Sequence, residues 1–449
     1  MRKNKKIQSF DFIYALAKIY VNISFRQYYC KIHIEGLKNI PRDKRVILAP
    51  NHQNALMDAL AMLMTQKGQP VFLARADIFK NKHVAWILEG LNILPVYRIR
   101  DGRDELGKNS GVFDTAVDVL RDKVTLCLMP EGMQSFKRSL LPLVKGMFRI
   151  AFLAQENLKP EDVVIVPAGI EYDDYINSGG DVGIRFGKPI SVLNYMPLYH
   201  ENQAVTLNRI KQDVSDGIDA LIQNIRSKTN YDDFYSLSLM AQETVCTKEK
   251  HQKRFFSLLE SRRRISMALD AEECSNPEVI RHLCFKHADY QKKLLSFRLK
   301  DFVLRSSQKI RWTWTKGLLL LLTLPIFVAG WSANFIPSFF SRLIANRLKN
   351  DHFKSSFHFV LLLVLYPAYY MLVITVLWIV FKSFLMVATV CMAALLLSRF
   401  VLFYCLWLRD IFYRIQFFFT KIIRFKKITL LEQLRKDIIA EVVRICNTQ

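Results

Sequence analysis

Val46-Ile47-Leu48-Ala49-Pro50-Asn51-His52-Gln53-Asn54-Ala55-Leu56-Met57-Asp58 is where the chain declares its fold. An apolar, partly β-branched run stops at Pro50, polar residues follow, and helical spacing begins after Asn54. Similar short runs recur at 71–75, 93–97, 124–129, 163–168 and 182–186, with Gly or Pro near many of their ends. Between them, 54–67, 82–90, 109–121 and 145–157 carry the 3.6-residue period. This alternation predicts an α/β domain over 31–200, a mixed sheet layered with helices.

Beyond that domain the composition changes twice. Residues 201–310 are polar and helix-prone, with Arg262, Arg263 and Arg264 in one run, and predict a helical insertion with solvated faces. From 311 to 449 the chain turns apolar and predicts a transmembrane region with a basic tail. Residues 357–381 lack Asp, Glu, Lys and Arg, and 383–408 hold only Arg399. Each is long enough for a bilayer core needing about 20 helical residues. Lys382 and Ser383 alone separate them, so together they predict a tight hairpin.

The earlier apolar segment at 317–337 contains Pro325, Gly330, Asn334 and Pro337. Were it a span, the loop with Arg342, Arg347, Lys349 and Lys354 would face away from the α/β domain, against the positive-inside tendency. A re-entrant or interfacial segment avoids that conflict. The expectation is two spans with this segment as a possible third, and the α/β domain and the tail (Arg409, Arg414, Lys421, Arg424, Lys426, Lys427) both cytoplasmic.

Across its 449 residues the chain has a formal net charge of +24. Such a charge favours an anionic partner, and the long apolar segments make it membrane lipid headgroups or small phosphorylated molecules. No basic-aromatic RNA motif, zinc-finger spacing or helix-turn-helix pattern accompanies it, which argues against nucleic acid. The 8 cysteines are scattered without C-x-x-C pairs, as suits buried thiols in a reducing compartment. His282, Cys284 and His287 come nearest to a metal cluster but lack a second ligand pair, so no metal is expected. At the N-terminus, Asp11 and Lys18 interrupt any secretory signal. Phe10, Ile13, Ala17, Tyr20 and Ile23 recur at helical spacing within residues 1–30, which fits a helix on a membrane surface or one packed on the domain.

His52 and Asp58 carry the chemistry. In one continuous helix they would stand about 240° apart and face different ways. His52 therefore belongs to the turn before the helix, from where its ring can fold back onto Asp58. The carboxylate then holds one ring nitrogen and leaves the other basic, which is what activating a hydroxyl at neutral pH requires.

Three later segments complete a pattern. After Asn51 to Asp58 come Gly90-Leu91-Asn92-Ile93-Leu94-Pro95-Val96-Tyr97-Arg98, Met129-Pro130-Glu131-Gly132 and Val164-Ile165-Val166-Pro167-Ala168-Gly169-Ile170. In this order they resemble the four blocks of the glycerolipid acyltransferase superfamily. The resemblance implies that His52 and Asp58 are catalytic, and that Arg98, Glu131 and Gly132 bind a phosphorylated glycerol. Arg98 offers a forked donor suited to phosphate, and Gly132 permits close backbone approach. Glu131 is expected to bond acceptor hydroxyls or to hold Arg98.

Two departures qualify it. Five residues rather than the usual four separate the histidine from the aspartate, and Met133 and Gln134 replace the usual Thr-Arg after the glycine. With Leu140-Leu141-Pro142-Leu143 and Lys145-Gly146, the wide spacing looks like the fungal-type glycerol-3-phosphate and dihydroxyacetone-phosphate branch. The phosphate grip is then expected from Lys137, Arg138 or Lys145, an inference from charge and position. The implied reaction moves an acyl group from acyl-CoA or an acyl carrier protein onto glycerol 3-phosphate, with no cofactor besides the thioester co-substrate. Lysophosphatidate is the alternative acceptor, and a non-catalytic lipid-binding scaffold the alternative of another class. A lipid hydrolase is disfavoured because no G-x-S-x-G elbow is present.

Overall fold

In the computed structural model, residues 6–97, 107, 109–248, 255–305 and 310–448 are described. The chain forms two compact units, Met1–Ile222 with Asn350–Ser356, and Gln223–Lys349 with Phe357–Gln449.

The first unit is built on an eight-stranded sheet. Its strands are β1 (Lys31–Glu35), β2 (Arg45–Pro50), β3 (Val71–Arg75), β4 (Ile93–Val96), β5 (Leu126–Cys127), β6 (Val163–Tyr172), β7 (Asp181–Phe186) and β8 (Ile190–Ser191). The order is β1-β7-β6-β2-β5-β3-β4, with β8 on β6. Pairing is parallel except that β6 meets β7 and β8 antiparallel, so the sheet is mixed as expected. β2 lies inside it and is buried along its whole length, which is why its sequence runs apolar without alternation. β2, β4, β5 and β6 all run the same way, so the loops leaving them gather at one edge.

Helices α1 (Phe12–Tyr28), α2 (Ala55–Thr65), α3 (Lys82–Gly90), α4 (Asn109–Arg121), α5 (Gly146–Asn157), α6 (Met196–Glu201) and α7 (Gln203–Asp219) accompany the sheet. Ile47, Ile165, Phe148, Phe152, Ile210 and Ile218 share one buried core. α7 belongs to this unit although its sequence lies past the boundary expected at residue 200. A Cβ on Gly217 would come within 2.7 Å of Pro167 Cγ, and one on Gly169 within 2.7 Å of Leu221 Cβ. Pro167 and Gly169, from the fourth sequence block, thus serve packing. Of the two expectations for the N-terminal helix, packing on the domain is met along one face. Asp11 caps α1, and Tyr14, Phe25 and Tyr28 are buried, while Phe12, Ile13, Ile19 and Ile23 stay exposed.

The second unit joins the polar insertion to the C-terminal tail. Helices α8 (Tyr231–Lys248), α9 (Phe255–Ser275), α10 (Pro277–Ser296), α11 (Asp301–Arg305) and α15 (Phe425–Thr448) make a bundle, and Phe234, Leu269, Leu283, Tyr290, Leu431 and Ile438 share its core. Arg435 locks it, with Nε donating to Asp301 Oδ1 at 2.8 Å while Tyr290 Oη donates to the same oxygen at 2.6 Å. His287, from the candidate metal trio, spends its ring on Asp233 at 2.7 Å and Ser236 at 2.9 Å.

The remaining helices are α12 (Ile310–Asn346), α13 (Lys354–Phe381) and α14 (Phe384–Ile423), and all three are long and apolar enough to cross a membrane. α12 runs unbroken through Pro325 and Pro337, so the segment at 317–337 is part of one continuous helix. Its contacts with α14 are close. Tyr404 Oη donates to Leu320 O at 2.9 Å, Asn334 Nδ2 to Ala394 O at 3.1 Å, and a Cβ on Gly330 would meet Leu397 at 2.9 Å. α14 continues to Ile423, so Arg409, Arg414 and Lys421 lie on that helix rather than in a separate tail.

Candidate active site

β2 ends at Pro50 and α2 begins at Ala55, so His52 stands in the intervening turn, as the spacing requires. Asn51 anchors this turn in a way the sequence did not advertise. Its Oδ1 accepts from Ile170 N at 2.7 Å and its Nδ2 donates to Ile170 O at 3.1 Å, so the side chain continues the ladder between β2 and β6. Ala55 adopts φ +44°, a left-handed conformation uncommon for a residue with a Cβ.

That turn aims donors at one carboxylate. Asp58 is fully buried in the first turn of α2. Its Oδ2 accepts from Gln53 N at 2.8 Å, Asn54 N at 2.7 Å and His52 Nδ1 at 3.0 Å. Its Oδ1 accepts from Tyr172 Oη at 2.9 Å. Four donors satisfy both oxygens of the buried carboxylate. The tautomer follows from this network: the proton sits on Nδ1, which leaves Nε2 as the basic nitrogen. Among the described residues nothing hydrogen-bonds Nε2, and the His52 side chain keeps 19% of its surface exposed.

The next loop locks onto the first. Glu131 follows β5 and is buried; its Oε1 accepts from His52 N at 2.6 Å and its Oε2 from Leu141 N at 2.9 Å. The carboxylate thus braces two loops, where the sequence suggested a partner in the acceptor or in Arg98. Burial pushes its pKa up to about 7, against the pull of its two backbone donors. Gly132 has φ +64°, and a Cβ there would press on both Val144 methyls at 3.3 Å, so glycine is required on both counts. Ser135 N donates to His52 O at 3.3 Å, closing the contact between the two loops.

Glu131 makes stability depend on pH. Its folded pKa of about 7 lies above its ordinary 4.5, so the folded chain holds the proton over that window. Stability contributed below pH 4.5 is lost as pH rises through 7, roughly 3 kcal/mol at about 1.4 kcal/mol per pKa unit. Glu131→Gln should be less stable at pH 5, because an amide cannot accept from both N–H groups. The difference in melting temperature between wild type and variant should then shrink from pH 5 to pH 8. A pH-independent difference would contradict a proton held by buried Glu131.

The residues expected to bind phosphate divide. Arg98 lies outside the described residues. Arg138 does not suit the role expected of it. Its guanidinium is 3% exposed, with Nε 3.3 Å from Glu171 Oε2, Nη2 donating to Tyr172 O at 2.6 Å, and Cζ 4.8 Å from the Tyr175 ring centre. It is a buried brace. Lys137 and Lys145 are exposed, Lys145 just ahead of α5. Tyr172, Tyr175 and Phe136 carry no signal in the sequence beyond being aromatic, yet Tyr172 and Tyr175 contact the dyad or its turn and Phe136 stacks on Tyr175 at 5.8 Å.

The comparisons with known proteins converge on this region. The family model described as Acyltransferase matches residues 31–171. A chloroplastic 1-acyl-sn-glycerol-3-phosphate acyltransferase of Arabidopsis thaliana is 25% identical over 209 residues, 46% of this chain and 54% of its own length. The human 1-acyl-sn-glycerol-3-phosphate acyltransferase alpha is 26% identical over 133 residues, 30% of this chain and 45% of its own. Glycerol-3-phosphate O-acyltransferase 2 of Saccharomyces cerevisiae is 24% identical over 194 residues, 43% of this chain and 25% of its own. The chain therefore spans about half the length, or less, of these curated relatives. Among solved structures, the 1-acyl-sn-glycerophosphate acyltransferase of Thermotoga maritima aligns with 22% identity and a TM-score of 0.32, covering 45% of this chain and 79% of that one.

Proposed function

We propose, starting from a glycerolipid acyltransferase domain at residues 31–171, that the chain moves a fatty acyl group from a thioester to the first hydroxyl of glycerol 3-phosphate. The observation that carries the reading is the 3.0 Å contact between His52 Nδ1 and Asp58 Oδ2, with Nε2 left over. His52 Nε2 takes the hydroxyl proton as the oxygen attacks the thioester carbonyl, and a C–O bond forms. Collapse of the tetrahedral intermediate breaks the C–S bond, and the imidazolium returns its proton to the departing thiolate. Asp58 stabilises the imidazolium between those two steps. Lys137 and Lys145, with Arg98, supply the positive charge for the phosphate, a role supported by their charge and their places after β5 and β4. Acyl-CoA or an acyl carrier protein is the donor class, and the membrane is the source or destination of the lipid.

Lysophosphatidate is the second acceptor, favoured by relatives whose names specify the 1-acylated substrate. Purified full-length protein given labelled acyl-CoA and, separately, glycerol 3-phosphate, dihydroxyacetone phosphate and lysophosphatidate tests both. Label in the first product supports the main reading and label only in phosphatidate the second. A wild type inactive on all acceptors, with CoA and carrier-protein thioesters alike, favours a lipid-binding scaffold.

The bilayer is crossed an even number of times between α11 and α15 in this reading. Support comes from the ion pair of Asp301 with Arg435, which places residues just before α12 and just after α14 in one bundle. Three crossings would separate them, so two of the three helices span, and the basic residues Arg342, Arg347, Lys349 and Lys354 favour α13 and α14 as that pair. The α/β domain and the C-terminus are then cytoplasmic, which the flanking Lys and Arg favour. Reporters inserted after Lys349 and after Gln449 should both label on the cytoplasmic side; opposite sides would make α12 a span.

A further inference from the structure

One segment of the first unit comes from far along the chain. Asn350–Ser356 follows α12, runs into the first turn of α13 and packs with Met1–Ile222. Ser355 is 1% exposed, and its Oγ donates to Asn54 Oδ1 at 2.6 Å across 301 positions of sequence. The other end of the Asn54 amide donates to Tyr175 O at 3.2 Å, and its backbone N–H is one of the donors on Asp58. Asn54 is itself fully buried. A second contact arrives beside the first. The His352 ring lies 4.1 Å from that of Phe136, which stacks in turn on Tyr175. Tyr175 Oη donates to Gln53 Oε1, and Gln53 N is another donor on Asp58. Phe136 follows Ser135, whose N–H holds His52 O.

The segment therefore grips the catalytic turn from two directions, and each grip ends on a residue that orients Asp58. We propose that Ser355, supported by His352, is a positioning residue for the His52–Asp58 pair, tying the geometry of the catalytic turn to the first turn of the bilayer-length helix α13. The turn has reason to need it. Its backbone carries an unfavourable φ at Ala55, and a buried Asn54 amide without Ser355 would have an acceptor facing no donor. Relaxation of Asn54 would draw its N–H from Asp58 and let the carboxylate drift from the imidazole. This assignment rests on the acyl-transfer reading of the same site.

The test uses full-length protein in phosphatidylethanolamine and phosphatidylglycerol bilayers, as wild type, Ser355→Ala and Ser355→Thr. Ser355→Ala should lower kcat about 10-fold, the scale of one lost buried hydrogen bond, with KM for acceptor and thioester changed less than about twofold. Ser355→Thr, which keeps the hydroxyl, should recover most of it. In parallel, carbethoxylation of His52, read by peptide mass without turnover, should accelerate severalfold in Ser355→Ala and return towards wild type in Ser355→Thr. Wild-type kcat and His52 reactivity in Ser355→Ala would overturn the proposal. So would a loss that merely tracks the folded fraction, with kcat per folded molecule intact. Should wild type transfer no acyl group, the acyl-transfer reading falls, and the carbethoxylation rates still decide whether Ser355 holds the turn.

Discussion

His52→Ala lowers kcat by about 100- to 10,000-fold, the range that a positioned general base supplies. The fold should survive because the backbone of His52 keeps both of its bonds, the N–H to Glu131 and the carbonyl to Ser135 N. Asp58 likewise retains Gln53 N, Asn54 N and Tyr172 Oη as donors. Loss of activity with an unchanged melting temperature and nearly unchanged KM would locate the defect in the proton transfer. Turnover by His52→Ala within about threefold of wild type would remove the base from the mechanism, whatever the acceptor.

Asp58→Asn should be as inactive and, unlike His52→Ala, unstable. A carboxylate here accepts four bonds, three of them on Oδ2. An amide has one oxygen, so its NH2 must face either that cluster of donors or the Tyr172 hydroxyl. The hydroxyl can rotate to accept, which favours keeping oxygen on the cluster, but the negative charge is gone. The imidazolium then forms without its counterion, and kcat should fall by about 1,000-fold or more. Weakening three charge-assisted bonds in a buried turn should also cost about 2–4 kcal/mol, visible as a drop in melting temperature. The double variant should be barely less active than His52→Ala alone, because the two residues act as one unit. Losses that multiplied in the double variant would mean that Asp58 serves catalysis by a route other than His52.

Much of this site is legible in the sequence. The 240° separation on a continuous helix excludes a purely helical His52, and a turn is the alternative that the structure adopts. Strands at 71–75 and 182–186 and helices at 82–90 and 109–121 fall where β-branched runs and 3.6-residue periods place them, because these are local preferences of the backbone. β1 was missed for a related reason. Lys31–Glu35 is a short, half-exposed edge strand whose partner, Asp181–Phe186, lies 150 positions away, and nothing in five residues specifies such a partner. β5 shrank to Leu126–Cys127, the only part of 124–129 with strand neighbours on both sides.

Charge was the least reliable guide. Arg138 looks the same in sequence whether it grips a phosphate or braces a core, and only the buried Glu171 opposite it decides. Glu131 likewise found its partners in two backbone amides, groups that every residue carries and no sequence marks.

The sequence alone determined the alternation of strands and helices from β2 to β7, the apolar C-terminal third and the histidine-aspartate spacing, since periodicity, composition and covalent distance act within a few residues. Tertiary structure alone decided which groups satisfy Asp58 and Glu131, that the insertion and the tail share one core, and that Ser355 reaches Asn54. Those outcomes depend on pairing buried donors with acceptors, a requirement that closes only when distant segments meet.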